Sequence, residues 1–237
     1  MNLQNYVDYS RMNRSMINMI PIEGIIDTGV SMGLDENTTV LDLCCGYGTQ
    51  LMLWAKAFGC SGVGVDITQA FVEEGQATLG REGIHTVELL QGDVMAYQTD
   101  TLFDVVCCTE NLVQDIGERL RWMERYAKPE GKLVISSLYA KVENPPAELT
   151  DFDGPLLTLD ALYDVIREAG FYLTSIALDS PMAWNTYISW SSQRDLAALR
   201  KNPDDARLMA WIEKWNHMYF RNRIPYEGMA MCVVERL

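Results

Sequence analysis

Short apolar runs alternate with segments of helical spacing along the first two thirds of the chain. Residues 39–43, 61–66, 86–91 and 103–108 are brief apolar runs, and each is followed by glycine or polar residues. After the first, second and fourth runs, apolar residues recur at every third or fourth position, as in an amphipathic helix. Strands alternating with helices predict an α/β fold whose mainly parallel sheet is covered on both faces.

The same alternation continues toward the C-terminus. It predicts a short helix near 94–97, a helix over 115–126, a strand over 132–138, an irregular loop over 144–157, a helix over 158–169, and strands over 171–178 and 229–235. The order helix, strand, insertion, strand indicates that the final two strands pair antiparallel.

The segment between the last two strands is far longer than a hairpin needs. Residues 182–223 are helical in pattern and rich in aromatic rings, and Asn202-Pro203-Asp204 divides them into two helices. An insertion of this length is more typical of a cap over a site than of a connector. The rings could equally pack the two inserted helices against each other.

The N-terminal region has two segments of helical spacing. Residues 1–19 form the first, stopped by Pro21, and residues 22–32 form the second, ended near Gly33. The first helix could lie across the mouth of a ligand site, or it could only pack onto the domain.

The composition of the chain limits the kinds of partner that it can bind. The chain has 237 residues, a net charge of −14 and 48% hydrophobic residues, which suits a single domain. A surface this acidic repels phosphate backbones and anionic lipids, so we expect no nucleic acid and no membrane as partner. The sequence shows no signal peptide and no apolar run long enough to span a bilayer, so we expect a cytoplasmic protein. We expect it to be a monomer or a homodimer.

Six cysteines occur, none in a C-x-x-C arrangement. We expect them to be reduced thiols in or near the core. Cys44-Cys45 and Cys107-Cys108 lie on strands that should be neighbours, but successive side chains point to opposite faces, so no metal site is predicted.

Polar residues follow four of the predicted strands. The first strand ends in Gly46 and Gly48, the second in Asp66, the third in Asp93, and the fourth in Thr109-Glu110-Asn111. The carboxyl ends of parallel strands meet at one edge of a sheet, where ligands bind near the reversal of strand order. Glycine permits close backbone approach, and the carboxylate of Asp66 suits the two hydroxyls of a ribose.

The glycine pattern disfavours one rival. A dinucleotide fold would carry G-x-G-x-x-G, but Leu51 occupies the third glycine position. No Walker sequence is present either. A nicotinamide oxidoreductase is therefore disfavoured.

These motifs resemble those of the class I S-adenosylmethionine (SAM) dependent methyltransferases. The resemblance covers roughly residues 35–180 and rests on five segments in order: Asp42-Leu-Cys-Cys-Gly46-Tyr-Gly48, Gly64-Val-Asp66-Ile67, Gln91-Gly92-Asp93-Val94, residues 103–111, and Pro129-Glu-Gly-Lys-Leu133. Cys44 departs from the family, which often has glycine there, and we interpret it as a minor change in turn geometry. The inserted segment is similar to that of uncharacterised bacterial small-molecule methyltransferases.

The resemblance implies a Rossmann-like three-layer α/β/α sandwich with a seven-stranded, mainly parallel sheet and an antiparallel last strand. The implied parts of the single domain are N-terminal helices (1–34), a SAM-binding core (35–181), a helical cap (182–227) and the last strand (228–237). It places Asp66 on the ribose of SAM, Asp93 and Val94 around the adenine, and Asp42, Gly46 and Gly48 near the methionine part. The full set of predicted cofactor residues is Asp42, Cys44, Gly46, Gly48, Asp66, Ile67, Asp93, Val94, Thr109 and Glu110.

Substrate residues are sought around the transferred methyl group. The candidates are Tyr9, Asn111, Gln114, Tyr139, Trp184, Tyr187 and Tyr219, with Trp190 and Trp215 as further rings of the insert. A general base would be Glu110 or Asp115, or His217 if the cap folds over the site.

The sequence therefore predicts methyl transfer from SAM to a small-molecule acceptor at a nitrogen, oxygen or sulfur atom, leaving S-adenosylhomocysteine. Transfer from a sulfonium needs mainly proximity and the exclusion of water. The alternative is a SAM-binding sensor or partner-dependent subunit without transferase activity.

Overall fold

A computed structural model describes residues 18–110 and 112–236 of the chain. Tyr9, Asn111 and most of the helix expected over residues 1–19 lie outside the described residues. The structure has one seven-stranded sheet, in the order β3-β2-β1-β4-β5-β7-β6. The strands are β1 (Thr39–Leu43), β2 (Ser61–Asp66), β3 (Val87–Gln91), β4 (Phe103–Cys108), β5 (Ala127–Ala140), β6 (Tyr172–Leu178) and β7 (Glu227–Glu235).

The last strand alone runs against its neighbours. β1 to β5 pair in parallel, whereas β7 pairs antiparallel with β5 on one side and β6 on the other. The strand order reverses between β1 and β4, which leaves a crevice at their carboxyl ends. The predicted mainly parallel sheet with an antiparallel last strand is confirmed.

Helices cover both faces of this sheet. They are α1 (Ile22–Met32), α2 (Thr49–Phe58), α3 (Gln69–Glu82), α4 (Ile116–Glu124), α5 (Ala147–Asp153), α6 (Leu159–Glu168), α7 (Pro181–Lys201), α8 (Ala206–Met218) and a single turn α9 (Ile224–Tyr226). Strand alternation divides the core in two: Val40 packs with α1, α2, α3 and α7, while its neighbour Leu41 packs with α4 and α6.

Three segments differ from the sequence prediction. The strand predicted over 132–138 is longer, because the pairing of β4 jumps from Phe103↔Ala127 to Val105↔Lys132 and residues 128–131 bulge outward. The loop predicted over 144–157 contains α5, whose Leu149 is fully buried. The helix predicted near 94–97 is only a turn, closed by the N–H of Ala96 on the carbonyl of Asp93.

The inserted segment is two helices, α7 and α8, as predicted. Asp205 begins α8 by accepting the N–H of Leu208 at 3.0 Å. A π-helical turn (Tyr219–Arg223) follows and brings the buried Arg223 against two carboxyl groups. The guanidinium of Arg223 donates to Oε2 of Glu227 at 2.9 Å and forms an ion pair with Asp153. The insert therefore contributes buried side chains to the domain.

Candidate functional site

A cavity of about 440 Å³ opens at the carboxyl ends of β1, β2 and β4, under one face of α7. Its volume lies in the range of small-molecule and cofactor sites. Strand ends supply its floor and one inserted helix supplies its roof. Among the residues around it are Asp42, Cys44, Cys45, Gly46, Tyr47, Thr49, Gln50, Asp66, Ile67, Thr68, Phe71, Thr109, Glu110, Tyr187, Trp190 and Arg194.

The turn after β1 is left-handed at three positions. Cys44, Gly46 and Gly48 have φ of 66°, 56° and 71°. Among the described residues, Cys44 is the only non-glycine with a positive φ, and a side chain in this conformation costs roughly 1–2 kcal/mol. The backbone thus keeps the left-handed turn at the position where the family often has glycine. At Gly48 a Cβ would lie only 2.6 Å from Leu89 Cδ2, so a larger residue would have to displace the Leu89 side chain as well as adopt the left-handed conformation.

Asp66 ties the end of β2 to this turn. Its Oδ2 accepts the N–H of Gly46 at 2.8 Å, and its Oδ1 accepts the N–H of Thr68 at 2.8 Å. Two backbone donors fix the orientation of the carboxylate, which still has lone pairs for ligand hydroxyls. The carboxylate of Asp66 therefore lies fixed at the edge of the cavity, and its predicted contact with a ribose stays a prediction.

Two buried polar atoms beside the cavity have no hydrogen-bond partner among the described residues. They are Oδ1 of Asp42 and Nε2 of Gln50. Burial, reinforced by nearby Cys108 and Asp66, holds the pKa of Asp42 well above its usual range. Buried polar groups are normally satisfied, so this pair indicates a polar ligand that offers a donor to Asp42.

Arg119 of α4 anchors the loop that follows β4. Its side chain is fully buried and donates to the carbonyls of Val113, Glu110 and Ser136 at 3.0, 3.2 and 2.9 Å. These bonds hold Glu110 at the cavity. The sequence prediction missed Arg119, although its place on the apolar stripe with Ile116 and Met123 was a signal of burial.

One face of α7 roofs the cavity. Tyr187, Trp190 and Arg194 follow each other at spacings of three and four, so they share a side of the helix. The rings of Tyr187 and Trp190 stack at 5.9 Å, and the guanidinium of Arg194 lies 4.7 Å from the Trp190 ring centroid. Opposite them, Tyr47 packs on Phe71 at 4.5 Å. Tyr47, Phe71 and Arg194 were not among the predicted site residues.

Several predicted site residues lie away from the cavity. His217 contacts Glu148 at 3.2 Å, and the exposed Asp93 accepts the N–H of Met95 at 2.9 Å. Gln114 borders a separate cavity of about 250 Å³. Four further predicted residues are buried in the core: Val94, Tyr139, Trp184 and Tyr219. Tyr139 and Trp184 donate hydrogen bonds to Asp179, and Tyr219 donates one to Asn185.

Of the rings of the insert, Tyr187 and Trp190 border the cavity. Trp211 and Trp215 instead stack on each other at 5.8 Å, and both contact Phe152 of α5. The rings of the insert are therefore divided between the border of the cavity and packing against α5, and a contact with substrate stays a prediction.

Across residues 18–110 and 112–236, no group of three or more His, Cys, Asp or Glu residues is arranged to hold a metal ion. The same residues contain no helix that is long and apolar enough to cross a membrane. The cysteines in this part of the chain are free thiols.

Residues 34–170 match a protein family described as a methyltransferase domain. This chain belongs to that family. The chain is 31% identical over 130 residues to demethylmenaquinone methyltransferase of Listeria welshimeri, covering 53% of this chain and 55% of that protein. It therefore spans about half the length of that relative. It is 32% identical to the enzyme of the same name from Anoxybacillus flavithermus, over 69% of this chain and 82% of that protein.

The fold is shared with a SAM-dependent methyltransferase from Thiobacillus denitrificans, solved in complex with S-adenosyl-L-homocysteine. The TM-score is 0.87 at 19% identity, with all of both chains covered. The predicted fold and the family are thus confirmed, and SAM remains the cofactor that the sequence predicts for them. The cavity fits this cofactor in volume, in the fixed acceptor Asp66 and in the unpartnered atoms of Asp42 and Gln50.

Proposed function

We propose that this chain transfers the methyl group of SAM to a small-molecule acceptor in the cavity under α7. The observation that carries the proposal is the aromatic roof: Tyr187 and Trp190 cover strand ends that already supply the cofactor motifs. A confined, ring-lined space suits a small acceptor better than a protein segment or a nucleic acid. The relatives named demethylmenaquinone methyltransferase also support a small-molecule acceptor.

The cofactor assignment follows the cavity. We assign Asp66 to the ribose hydroxyls, the turn Cys44, Gly46 and Gly48 with Asp42 to the methionine part, and Ile67 and Thr109 to the walls beside them. Asp42 accepts a hydrogen bond from a ligand ammonium, which would satisfy its buried Oδ1. We assign no adenine contact to Asp93 or Val94, because neither borders the cavity.

The bound cofactor supplies a methyl group that is already electrophilic. The chain's own residues then hold the acceptor in line and keep water away, and the two α7 rings serve both purposes. Glu110 is our candidate to take a proton from the acceptor, since it follows β4 at the cavity and its backbone is held by Arg119. We assign no such role to His217, which contacts Glu148 instead.

Titration calorimetry with S-adenosylhomocysteine, followed by an acceptor panel with SAM, tests the proposal. The panel should contain amines, thiols, phenols, carboxylic acids and a reduced quinone, with product detected by mass spectrometry. Binding together with a methylated product that is reduced in Glu110→Gln supports the proposed chemistry. Binding without product from any acceptor class favours the non-catalytic alternative, and no binding overturns the cofactor site.

A further inference from the structure

The charges around the cavity are unevenly distributed. Three acids border it, Asp42, Asp66 and Glu110, and Arg194 is the one lysine or arginine found there among the described residues. SAM and its product carry an ammonium and a carboxylate on the same amino-acid end. The acids suit the ammonium, but they would repel the carboxylate unless a cation lay beside it.

Arg194 is built to meet a carboxylate. Its Nε and Nη2 lie 2.9 and 2.8 Å from a single oxygen, Oδ1 of Asp195, which is buried. That contact holds one edge of the guanidinium, and the Trp190 ring at 4.7 Å supports its plane. Nη1 has no partner among the described residues, and the side chain is 50% exposed. A guanidinium held from one side can accept a ligand carboxylate at its other edge.

The position of Arg194 relative to the glycine turn decides which end of the ligand it meets. Tyr47 and Arg194 border the same cavity, where burial raises the pKa of Tyr47 and the positive charge of Arg194 opposes that rise. Tyr47 stands between Gly46 and Gly48, in the turn assigned to the methionine part. The cation therefore lies toward the amino-acid end of the cofactor.

We propose that Arg194, positioned by Asp195 and Trp190, binds the carboxylate of the methionine part of SAM. The inference rests on the proposed function, because it takes the cavity to be the cofactor site. It makes α7 part of the cofactor site as well as a roof for the acceptor. The buried Arg119 does not compete for this role, because its N–H groups already reach three carbonyls.

The test compares two probes that differ in the carboxylate alone: S-adenosylhomocysteine and its decarboxylated amine analogue. Calorimetry at constant ionic strength measures both with the wild type, Arg194→Gln and Arg194→Lys. Arg200→Gln is the matched control, on the same helix but outside the cavity. We expect Arg194→Gln to weaken S-adenosylhomocysteine by about tenfold or more and the amine analogue by less than about twofold, with Lys intermediate.

Equal losses for the two probes would overturn the inference, since they would indicate a disturbed roof rather than a lost ion pair. Unchanged binding of S-adenosylhomocysteine to Arg194→Gln would overturn it too. If that variant instead raises only the KM of an anionic acceptor, Arg194 serves the acceptor and not the cofactor. If the wild type binds neither probe, the proposed function itself is overturned. Thermal unfolding of each variant checks that the fold is intact.

Discussion

Oδ2 of Asp66 accepts the backbone N–H of Gly46 at 2.8 Å, so the acid that ends β2 holds the glycine turn that follows β1. One side chain thus orients itself for a ligand and shapes the loop beneath that ligand. Mutating Asp66 should therefore affect both the ligand contact and the loop.

Asp66→Ala should raise the dissociation constant of S-adenosylhomocysteine by at least about tenfold, since hydrogen bonds to charged groups contribute about 1.5–3 kcal/mol each. Titration calorimetry measures the change. Asp35→Ala is the control, because Asp35 also accepts a backbone N–H but precedes β1, outside the cavity. A dissociation constant within about twofold of wild type for Asp66→Ala would refute the assignment of this residue.

Trp190→Ala should lower kcat/KM for the acceptor by about tenfold or more, because a gap in the roof admits water and loosens the acceptor. Trp211→Ala removes a ring of the same size from the same insert, but that ring is 44% exposed and stacks on Trp215 and Phe152. It should leave kcat/KM nearly unchanged. Equal effects of the two substitutions on steady-state kinetics would mean that the insert matters only for folding.

Glu227 should make the protein less stable as the pH rises. Burial raises the pKa of Glu227 from 4.5 to about 8, and the nearby Asp153 adds to this rise, whereas Arg223 opposes it. The folded state therefore holds a proton that the unfolded chain has released, and the free energy of unfolding falls between about pH 4.5 and 8. Over that range the loss should be on the order of 2 kcal/mol or more.

Urea unfolding of Glu227→Gln at several pH values checks this point. The amide cannot ionise, so the free energy of unfolding should fall less steeply between pH 5 and 8 than in the wild type. Glu235→Gln, at the other end of β7, is the control: Lys132 helps to hold the pKa of Glu235 below its usual range, so its effect falls at lower pH. The prediction fails if both variants keep the wild-type slope.

Cys44→Gly should be more stable than Cys44→Ala by about 0.5–1 kcal/mol, because glycine adopts the left-handed conformation without the strain of a Cβ. Both variants lose the same thiol, so their difference isolates the backbone. At Cys60, which has no positive φ, the order should reverse and alanine should be the more stable. Thermal or urea unfolding of the four variants measures both differences.

The residues proposed for the cofactor could be located at one cavity from the sequence because their signals are local. β1, β2 and β4 have the bounds that the apolar runs indicated, and Asp66, Gly46 and Glu110 lie at strand ends, where parallel pairing must gather them. The left-handed conformation of Cys44 could not be predicted in this way, because a cysteine in the sequence does not indicate a positive φ.

The acceptor half depends on contacts between distant segments, which a single sequence does not encode locally. Trp190 and Trp211 both lie in predicted helices of the insert, yet of these two only Trp190 borders the cavity. The direction of α7 over the sheet decides which ring does so. His217 could be placed beside Glu148 only once α5 was known, and α5 lies in a stretch that two prolines made look irregular.

The antiparallel β7 also affects how the protein is made. β6 pairs only with β7 within the described sheet, and some fifty residues separate the two strands in the sequence. On the ribosome, β6 must therefore wait with an open edge until both inserted helices and residues 227–235 have emerged. β1 to β5 can pair earlier, so the nascent chain should pass through a stage that is ordered on one side and prone to aggregation on the other.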